Sequence, residues 1–220
     1  MIAGLLPDEV RCVVRREDGS PSEPLFPAEE ALLVQAGPKR RAEFTTVRGC
    51  ARRALAGLGL PPVPVLPGQR GAPQWPAGVV GSLTHCEGFR AAAVARAGRI
   101  RSLGIDAEPN LPLPPGVREV VLRPAELRLP DGPQGSGEVH LDRLVFSAKE
   151  SVFKAWYPLT GLELDFLEAE LRLSPAAPGS ADGSFEARLL RSAPGLSGTL
   201  HGRWSVRDGI VATAVVVNTG

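Results

Sequence analysis

Two short segments of this 220-residue sequence carry charged side chains at spacings that suit phosphate chemistry. Asp106 and Glu108 end a short apolar run, and side chains two residues apart on a strand point to the same face. Glu150 and Lys154 are four residues apart in a predicted helix and therefore share one face of it. Three carboxylates and a lysine could hold a hard divalent cation and a phosphorylated ligand, because magnesium favours a few carboxylates together with phosphate oxygens.

A histidine forms a second candidate group. His85 follows Ser82 and Thr84 in a Gly-Ser-Leu-Thr-His segment, which we predict to be the end of a strand and the start of a turn. A lone histidine is more often a structural residue than a ligand, so the sequence by itself leaves both interpretations open.

A basic helix is the third candidate group. The helix predicted over residues 39–58 carries six lysine and arginine side chains. Arg41, Arg48 and Arg52 lie near one of its faces, and Arg40 and Arg48 are eight residues apart and nearly aligned. Such a face is usually solvated, but an arginine can also hold an anion through two parallel hydrogen bonds.

The composition excludes several classes of protein. The net charge of +1 gives no overall positive field of the kind that nucleic-acid-binding proteins carry. Cys12, Cys50 and Cys86 are widely spaced and form no CxxC pair, which argues against a disulfide framework and a structural zinc site. We expect a cytoplasmic protein, because there is no basic region typical of a signal peptide and no apolar run long enough to cross a membrane.

The pattern of apolar residues, prolines and glycines predicts a mixture of helices and strands. Helices are expected over 28–36, 39–58, 114–122 and 142–157, the last one closed by Pro158 and Gly161. Strands are expected over 9–16, 79–83, 89–97, 100–106, 164–173, 185–191, 200–206 and 210–217. An Asp208-Gly209 turn should join the last two strands. Residues 63–81 and 109–140 should be mostly irregular.

In chain order, these motifs resemble the signature of the 4'-phosphopantetheinyl transferases, which move the phosphopantetheine arm of coenzyme A onto a serine of a carrier protein. The matching segments are Gly104-Ile105-Asp106-Ala107-Glu108 and Phe146-Ser147-Ala148-Lys149-Glu150-Ser151-Val152-Phe153-Lys154. The resemblance implies that Asp106, Glu108 and Glu150 hold Mg2+, with Mn2+ as an alternative. It also implies that Lys154 contacts the diphosphate and that either Glu150 or a water on the cation takes the serine proton. Lys149 would face either a partner or solvent.

The resemblance further implies contacts with coenzyme A, the substrate, in the first part of the chain. Arg40 and Arg48 would hold the nucleotide 3'-phosphate. His85, with the nearby Ser82 and Thr84, would contact phosphate groups.

One segment departs from the family pattern. Many relatives carry Gly-Lys-Pro upstream of the histidine, and that lysine binds phosphate. This chain has Gly71-Ala72-Pro73 at this place, so either Arg70 replaces the lysine or the contact is missing.

The implied fold is α+β, with a pseudo-twofold pair of similar α/β halves that each pack an antiparallel sheet against a long helix. The active site would lie at their interface. A faint repeat supports this fold, because residues 82–95 and 205–217 both read as a strand, a turn and a strand of small residues. The N-terminal half would span residues 1–102 with the arginine helix and the histidine turn. The C-terminal half would span residues 103–220 with the acidic strand, the Lys-Glu helix and a docking region, in a monomeric protein.

The implied partners are apo acyl or peptidyl carrier proteins. Fatty acid, polyketide and nonribosomal peptide carriers all remain open, and the resemblance favours those of secondary metabolism. Residues 109–140 and the start of the next helix would dock the carrier, with Arg118, Arg123 and Arg128 attracting its acidic helices. No nucleic-acid or membrane partner is expected. Two alternative functions are a metal-dependent phosphohydrolase of a coenzyme-A-like nucleotide and a coenzyme-A-binding module without transfer.

Overall fold

The computed structural model of the protein describes residues 1–18, 24–129, 133–134, 138–196 and 198–219. Within these residues the α-helices are α1 (Pro27–Glu30), α2 (Pro38–Ala56), α3 (Val117–Val121) and α4 (Leu141–Thr160). The strands are β1 (Arg11–Arg15), β2 (Val79–Cys86), β3 (Phe89–Arg96), β4 (Ile100–Pro109), β5 (Pro133–Gln134), β6 (Val139–His140), β7 (Ala169–Pro175), β8 (Asp182–Leu189), β9 (Thr199–Arg207) and β10 (Ile210–Asn218). Short 3-10 helices cover Ile2–Leu5, Ala31–Leu33, Gln69–Gly71, Glu126–Arg128 and Phe166–Glu168.

The strands form two main antiparallel sheets. A three-stranded sheet has the order β1-β3-β2, and a five-stranded sheet has the order β4-β10-β9-β8-β7. β5 and β6 pair separately with each other. The predicted α+β class is confirmed, whereas the pseudo-twofold relation between two halves stays a prediction.

Side-chain alternation along the strands divides the core into layers. On β3, Ala92 and Val94 pack in one cluster with α2. The opposite face of β3 packs against β4 and β10 in a cluster that contains Ala91, Ala93, Ala95, Leu103, Ile105, Ala107, Ile210, Ala212 and Ala214. The other face of β10 packs with α4 in the largest cluster. Because Asp106 and Glu108 alternate with the core residues of β4, they lie on its α4 side.

Glycines and prolines set the ends of the two long helices. α2 begins with Pro38, whose missing N–H costs nothing in a first turn. α4 ends at Gly161, whose φ of 64° lies in the left-handed region that glycine adopts without strain. The prediction that Pro158 helps to close α4 is wrong. The helix continues to Thr160, since the proline removes only one of its hydrogen bonds.

The turn between β2 and β3 is shorter than the sequence predicts. β2 pairs with β3 as far as Cys86, so His85 lies in the strand and not in a turn. Only Glu87 and Gly88 form the turn, and Gly88 has a φ of 71°. The earlier placement of His85 is therefore wrong, because the antiparallel partner extends the strand beyond the polar Ser-Leu-Thr-His segment.

Residues in turns also set where strands begin and end in the second part of the chain. The strand predicted over 164–173 is a 3-10 turn followed by β7, because the Asp165 side chain caps that turn by accepting the N–H of Leu167. The predicted Asp208-Gly209 turn is confirmed, with φ angles of 50° and 72° that match the left-handed turn favoured in tight hairpins.

The structure leaves the expected boundary between the halves untested and describes only part of the expected docking region. The boundary expected between residues 102 and 103 falls inside β4 and stays a prediction. Residues 130–132 and 135–137 of the predicted docking region lie outside the described residues. In the part of the chain that is described, no helix is both long and apolar enough to cross a membrane.

Gly104 permits the close approach of β4 to α4. A Cβ at this position would overlap the carbonyl oxygen of Ser151 and lie 2.7 Å from the backbone nitrogen of Ala155. Both atoms belong to the helix backbone, which cannot move aside as a flexible side chain can. Glycine at this position therefore sets the distance between the strand and the helix that carry the charged motif residues.

We predict that Gly104→Ala lowers the free energy of unfolding by about 3 kcal/mol, because overpacking pushes α4 away from β4. Gly49→Ala is the matched control, since an added Cβ there meets no atom within 4 Å inside α2. It should raise stability by about 0.5–1 kcal/mol. Urea denaturation measures both effects, and equal stabilities of the two variants would contradict the tight approach.

Candidate functional site

All ten predicted site residues line one cavity of about 440 Å³. They are Arg40, Arg48, Arg70, Ser82, Thr84, His85, Asp106, Glu108, Glu150 and Lys154. These residues come from α2, the loop after it, β2, β4 and α4, so the cavity lies where both sheets and both long helices meet. The structure brings the four separate motifs together, while the roles of the individual residues stay predictions.

Hydroxyl groups join the two sheets where their edge strands β2 and β4 meet. Ser82 Oγ accepts a hydrogen bond from the Ile105 N–H at 3.1 Å, and Thr84 Oγ1 accepts one from the Ala107 N–H at 3.0 Å. These bonds satisfy backbone donors on an otherwise unpaired strand edge. Both hydroxyls are buried and thereby fix the segment of β4 that carries the two acids.

Asp106 has one carboxylate oxygen with partners and one without. Oδ1 accepts a hydrogen bond from Lys154 Nζ at 2.6 Å and another from Thr84 Oγ1 at 3.2 Å. Oδ2 is buried and has no hydrogen-bond partner among the described residues. A buried oxygen of this kind has lost water without compensation, so a cation or a donor beside it would be favourable.

Glu108 is held by Arg143 from the first turn of α4. Arg143 NH1 donates to Glu108 Oε2 at 3.0 Å, and its other guanidinium nitrogens donate to two backbone carbonyls. Burial and the neighbouring charge of Asp106 raise the pKa of Glu108 to about 7, against the opposing effects of Arg143 and Lys154. This carboxylate is therefore only partly ionised at neutral pH when no further cation is present.

Glu150 and Lys154 face these acids from α4. Burial raises the pKa of Glu150; Lys154 opposes this effect and Asp106 adds to it. Burial acts to lower the pKa of Lys154, but the charge and the hydrogen bond of Asp106, with help from both glutamates, outweigh burial and raise it. Lys154 therefore stays protonated and places a positive charge among the carboxylates.

The donor atoms at this end of the cavity fit a hard divalent cation. Carboxylate oxygens are the ligands that Mg2+ and Mn2+ prefer, and Asp106 Oδ2 is a buried oxygen without a protein partner in the described residues. No three Asp, Glu, His or Cys side chains in the described ranges are grouped closely enough to hold a metal ion by themselves. Magnesium commonly uses one or two carboxylates and completes its shell with water and phosphate oxygens.

Arg40 and His85 meet on the α2 side of the cavity. Arg40 NH1 lies 3.1 Å from His85 Nε2, and Glu43 Oε2 lies 4.0 Å from the same nitrogen. Burial and the charge of Arg40 lower the pKa of His85, so the ring is neutral at pH 7 and can accept the arginine hydrogen bond. The contact therefore pairs the cationic Arg40 with a neutral ring and not with a second cation.

Arg48 is held by the backbone of Val65, and the buried Glu29 holds Val65 in turn. Its Nε donates to the Val65 carbonyl at 2.8 Å, and its guanidinium lies 3.9 Å from the centre of the Phe44 ring. The Val65 N–H donates to Glu29 Oε1 at 2.9 Å, and Arg52 pairs with Glu29 at 3.0 Å. Burial lowers the pKa of Arg48 to about 10, so it remains charged. Arg52 is a buried structural partner of Glu29 and does not line the cavity.

Arg70 lines the cavity while its guanidinium pairs with Glu163. NH2 donates to Oε2 at 2.8 Å, and Nε makes a second, shorter contact with Oε1. Both side chains are more than half exposed. The idea that Arg70 replaces a phosphate-binding lysine stays a prediction.

Lys149 is buried, so neither of its two predicted positions, against a partner or in solvent, is correct. Its Nζ lies 2.6 Å from Glu126 Oε2 and also donates to the carbonyl oxygens of Val121 and Phe166. Burial lowers the pKa of Lys149, and Glu126 opposes this effect. The lysine of the Lys-Glu motif therefore ties α4 to α3 and to the turn before β7.

The three arginines predicted to attract a carrier differ in exposure. Arg128 is exposed, whereas Arg118 and Arg123 are half-buried. Arg123 NH1 donates to the Leu167 carbonyl, and its Nε lies 3.9 Å from Glu170. The expectation of three exposed arginines is therefore wrong for Arg118 and Arg123, because their segment packs on the Phe166–Glu168 turn.

Two charged residues of the site were missed in the sequence: Glu43, which lines the cavity, and Arg143, which pairs with Glu108. Glu43 lies three residues after Arg40, and Arg143 lies seven residues before Glu150, so helical spacing from known candidates could have identified both. Phe44, Phe146, Phe153 and Tyr157 form an aromatic wall of the cavity, and the three phenylalanines gave no such signal. Apolar residues at helical spacing indicate a core face and do not distinguish it from a pocket wall.

Two protein-family models match the chain. One describes the 4'-phosphopantetheinyl transferase N-terminal domain and matches residues 28–95; the other describes the 4'-phosphopantetheinyl transferase superfamily and matches residues 102–207. The chain is 56% identical over 225 residues to the 4'-phosphopantetheinyl transferase Svp of Streptomyces mobaraensis, covering 99% of this chain and 89% of Svp. It is 47% identical over 201 residues to Npt of Nocardia iowensis, covering 86% and 87% of the two chains. It is also 47% identical over 197 residues to PptT of Mycobacterium tuberculosis, covering 87% and 86%.

The raised pKa of Glu108 predicts a dependence of stability on pH. In the folded chain the Glu108 carboxyl group has a pKa of about 7, whereas its ordinary pKa is 4.5. The folded chain therefore binds the carboxyl proton more tightly than the unfolded chain does. The stabilisation that this tighter proton binding gives to the folded chain is fully present below pH 4.5 and is lost as the pH rises through 7. We predict that Glu108→Gln raises the free energy of unfolding by about 1–3 kcal/mol at pH 8, because the amide has no charge to bury.

Urea denaturation with a metal chelator at pH 5 and pH 8 measures this difference. At pH 5 the gain should fall below about 1 kcal/mol, since Glu108 is then protonated in the folded chain. Glu119→Gln, which removes an exposed acid of α3, should show no such pH dependence. The same gain at both pH values would contradict a buried, partly ionised Glu108.

Proposed function

The chain belongs to the 4'-phosphopantetheinyl transferase superfamily, and from this premise we propose that it moves the 4'-phosphopantetheine group of coenzyme A to a serine of an apo acyl or peptidyl carrier protein. The second product is 3',5'-adenosine diphosphate. The observation that carries the proposal is the convergence of ten motif residues on one cavity. Mg2+ is the proposed cofactor, with Mn2+ as an alternative, and Asp106, Glu108 and Glu150 are its proposed ligands.

The proposed phosphate contacts come from basic groups around the same cavity. Arg40 and Arg48 would hold the 3'-phosphate of the nucleotide from the α2 side, and His85 would contact a phosphate group of coenzyme A. Lys154 would contact the diphosphate as a compact point charge. Ser82 and Thr84 would contribute mainly by holding β4 in place, since their hydroxyls already bind its backbone.

In the proposed reaction, the serine oxygen of the carrier attacks the phosphorus that bears pantetheine. The bond from this phosphorus to the bridging oxygen breaks, and 3',5'-adenosine diphosphate leaves with the electron pair. When bound, Mg2+ would stabilise the charge that develops on the leaving oxygen. Glu150 is the proposed acceptor of the serine proton, because a carboxylate within hydrogen-bond reach of the reacting hydroxyl can take its proton during attack.

Intact-protein mass spectrometry tests this function on an apo carrier incubated with the chain, coenzyme A and Mg2+. We expect a mass gain of one phosphopantetheine group, which a metal chelator should abolish. Release of nucleotide from coenzyme A without a carrier would favour a phosphohydrolase instead. Binding of coenzyme A without transfer to any of several carrier classes would favour a binding module.

Substitution of the proposed base gives a sharper prediction. Glu150→Gln should lower kcat by about 100-fold or more, because the amide cannot accept the serine proton. Calorimetry should show that the variant still binds coenzyme A. Glu186→Gln removes an exposed acid of β8 outside the cavity and is the matched control, which should keep its activity. An unchanged kcat in Glu150→Gln would exclude Glu150 as the base.

We propose that the carrier docks beside α3 and the two short helical turns near it. Val120, Leu127 and Leu167 are exposed apolar residues of these elements, and Arg128 is an exposed cation in the same segment. α3 packs on the turn that carries Leu167. Apolar side chains beside a positive charge suit an acidic amphipathic carrier helix.

Charge reversal tests this docking surface. Arg128→Glu should raise the KM for the carrier by about three- to tenfold and leave the affinity for coenzyme A unchanged, because only the carrier meets this surface. Arg203→Glu makes the same charge change at an exposed position on β9, outside both the cavity and the docking surface, and should leave both values unchanged. An unchanged KM in Arg128→Glu would place the docking surface elsewhere.

We further propose a cytoplasmic, monomeric protein. The three cysteines are all free, which suits a reducing compartment. All ten proposed site residues come together within a single copy of the chain, so the proposed chemistry needs no second copy. Light scattering after size-exclusion chromatography tests the monomer.

A further inference from the structure

Arg70 holds a strained backbone conformation at the edge of the cavity. Its φ of 54° and ψ of 23° lie in the left-handed region, which is unfavourable for a residue with a Cβ. The turn around it is closed by hydrogen bonds from the Gly68 N–H to the Ala72 carbonyl at 2.7 Å and from the Gly71 N–H to the Gly68 carbonyl at 3.2 Å. Such conformations persist where other contacts hold them and occur often at ligand clamps and switches.

The contact that holds the Arg70 side chain comes from a remote part of the chain. Glu163, 93 residues away and just beyond the end of α4, meets the guanidinium with both carboxylate oxygens. The side chains are 62% and 52% exposed, so water and salt weaken the pair. Two-pronged pairing of this kind suits a phosphate group as well as a carboxylate.

Arg70 also forms part of the wall between two neighbouring cavities. It lines the cavity described above and a second one of about 500 Å³, which Glu163, Leu164 and Phe166 also line. Glu150 and Phe153 line both cavities as well. The guanidinium can therefore reach a ligand in the first cavity or the carboxylate of Glu163 beside the second.

We propose that Glu163 competes with coenzyme A for Arg70. In the free protein the Glu163 carboxylate pairs with the Arg70 guanidinium. A phosphate of coenzyme A would take the place of this carboxylate. The exchange is favourable because a phosphate carries equal or greater negative charge and offers more acceptor oxygens. Glu163 is thus a positioning residue that keeps Arg70 in place before substrate arrives and sets the affinity for coenzyme A. The inference rests on the proposed function, in which Arg70 contacts a phosphate.

A double-mutant cycle tests the competition. The dissociation constant of coenzyme A is measured by calorimetry for the parent chain, Glu163→Gln, Arg70→Gln and the double variant. We expect Glu163→Gln to tighten binding by about two- to fivefold, which corresponds to about 0.4–1 kcal/mol. Arg70→Gln should weaken binding, and adding Glu163→Gln to it should then have no effect, because the competing carboxylate has lost its target.

Glu9→Gln is the matched control for the change in net charge. Glu9 pairs with Arg99 at 3.3 Å in another exposed ion pair, and neither residue lines the cavity. This variant should bind coenzyme A as the parent chain does. Weaker or unchanged binding in Glu163→Gln, or the same tightening with and without Arg70, would overturn the proposal.

The outcome is separable from that of the proposed function. Coupling between Arg70 and Glu163 without transfer to a carrier would refute the transferase and leave the competition standing. Transfer to a carrier without this coupling would refute the competition alone.

Discussion

The site depends on a junction where two edge strands meet through side chains instead of a backbone ladder. Neighbouring strands in a regular sheet lie about 4.8 Å apart. At the β2–β4 junction, the hydroxyls of Ser82 and Thr84 stand between the two backbones and accept the N–H groups of β4. This arrangement satisfies backbone donors of β4 that no neighbouring strand satisfies. The cavity occupies the space beside this junction, and Asp106 lies directly on it.

Two buried acids, one in each part of the chain, are held by the same set of contacts. Glu29 and Glu126 each follow a Pro-Ala pair and accept the backbone N–H three residues earlier. Each also accepts a remote backbone N–H and pairs with a basic residue of a long helix, namely Arg52 of α2 or Lys149 of α4. A buried charge is tolerated only when it is paired and hydrogen-bonded in this way. The repetition of these contacts in both parts of the chain supports the predicted similarity of two halves.

The sequence was sufficient for the residues whose chemistry is local and insufficient for those whose partners are remote. Spacing along one strand or helix identified Asp106, Glu108, Glu150 and Lys154, because periodicity decides which face they share. Nothing local predicts that Lys149 is buried, since its partner Glu126 lies 23 residues earlier, in a segment for which the sequence predicts no regular structure. His85 was misplaced for the same reason: the length of β2 depends on pairing with β3, and a polar segment resembles a turn until its partner strand is known.

The charges around the cavity indicate a site that its ligands complete. On the β4 side, Lys154 and Arg143 offset only part of the charge of three carboxylates, and one buried oxygen of Asp106 has no partner in the described structure. On the α2 side, Arg40 meets a neutral His85, and Arg48 is charged despite its burial. A divalent cation on the acidic side would offset the remaining charge there, and an anion on the basic side would pair with the two arginines. A divalent cation bound to a nucleotide diphosphate would supply both, so each should bind more tightly in the presence of the other.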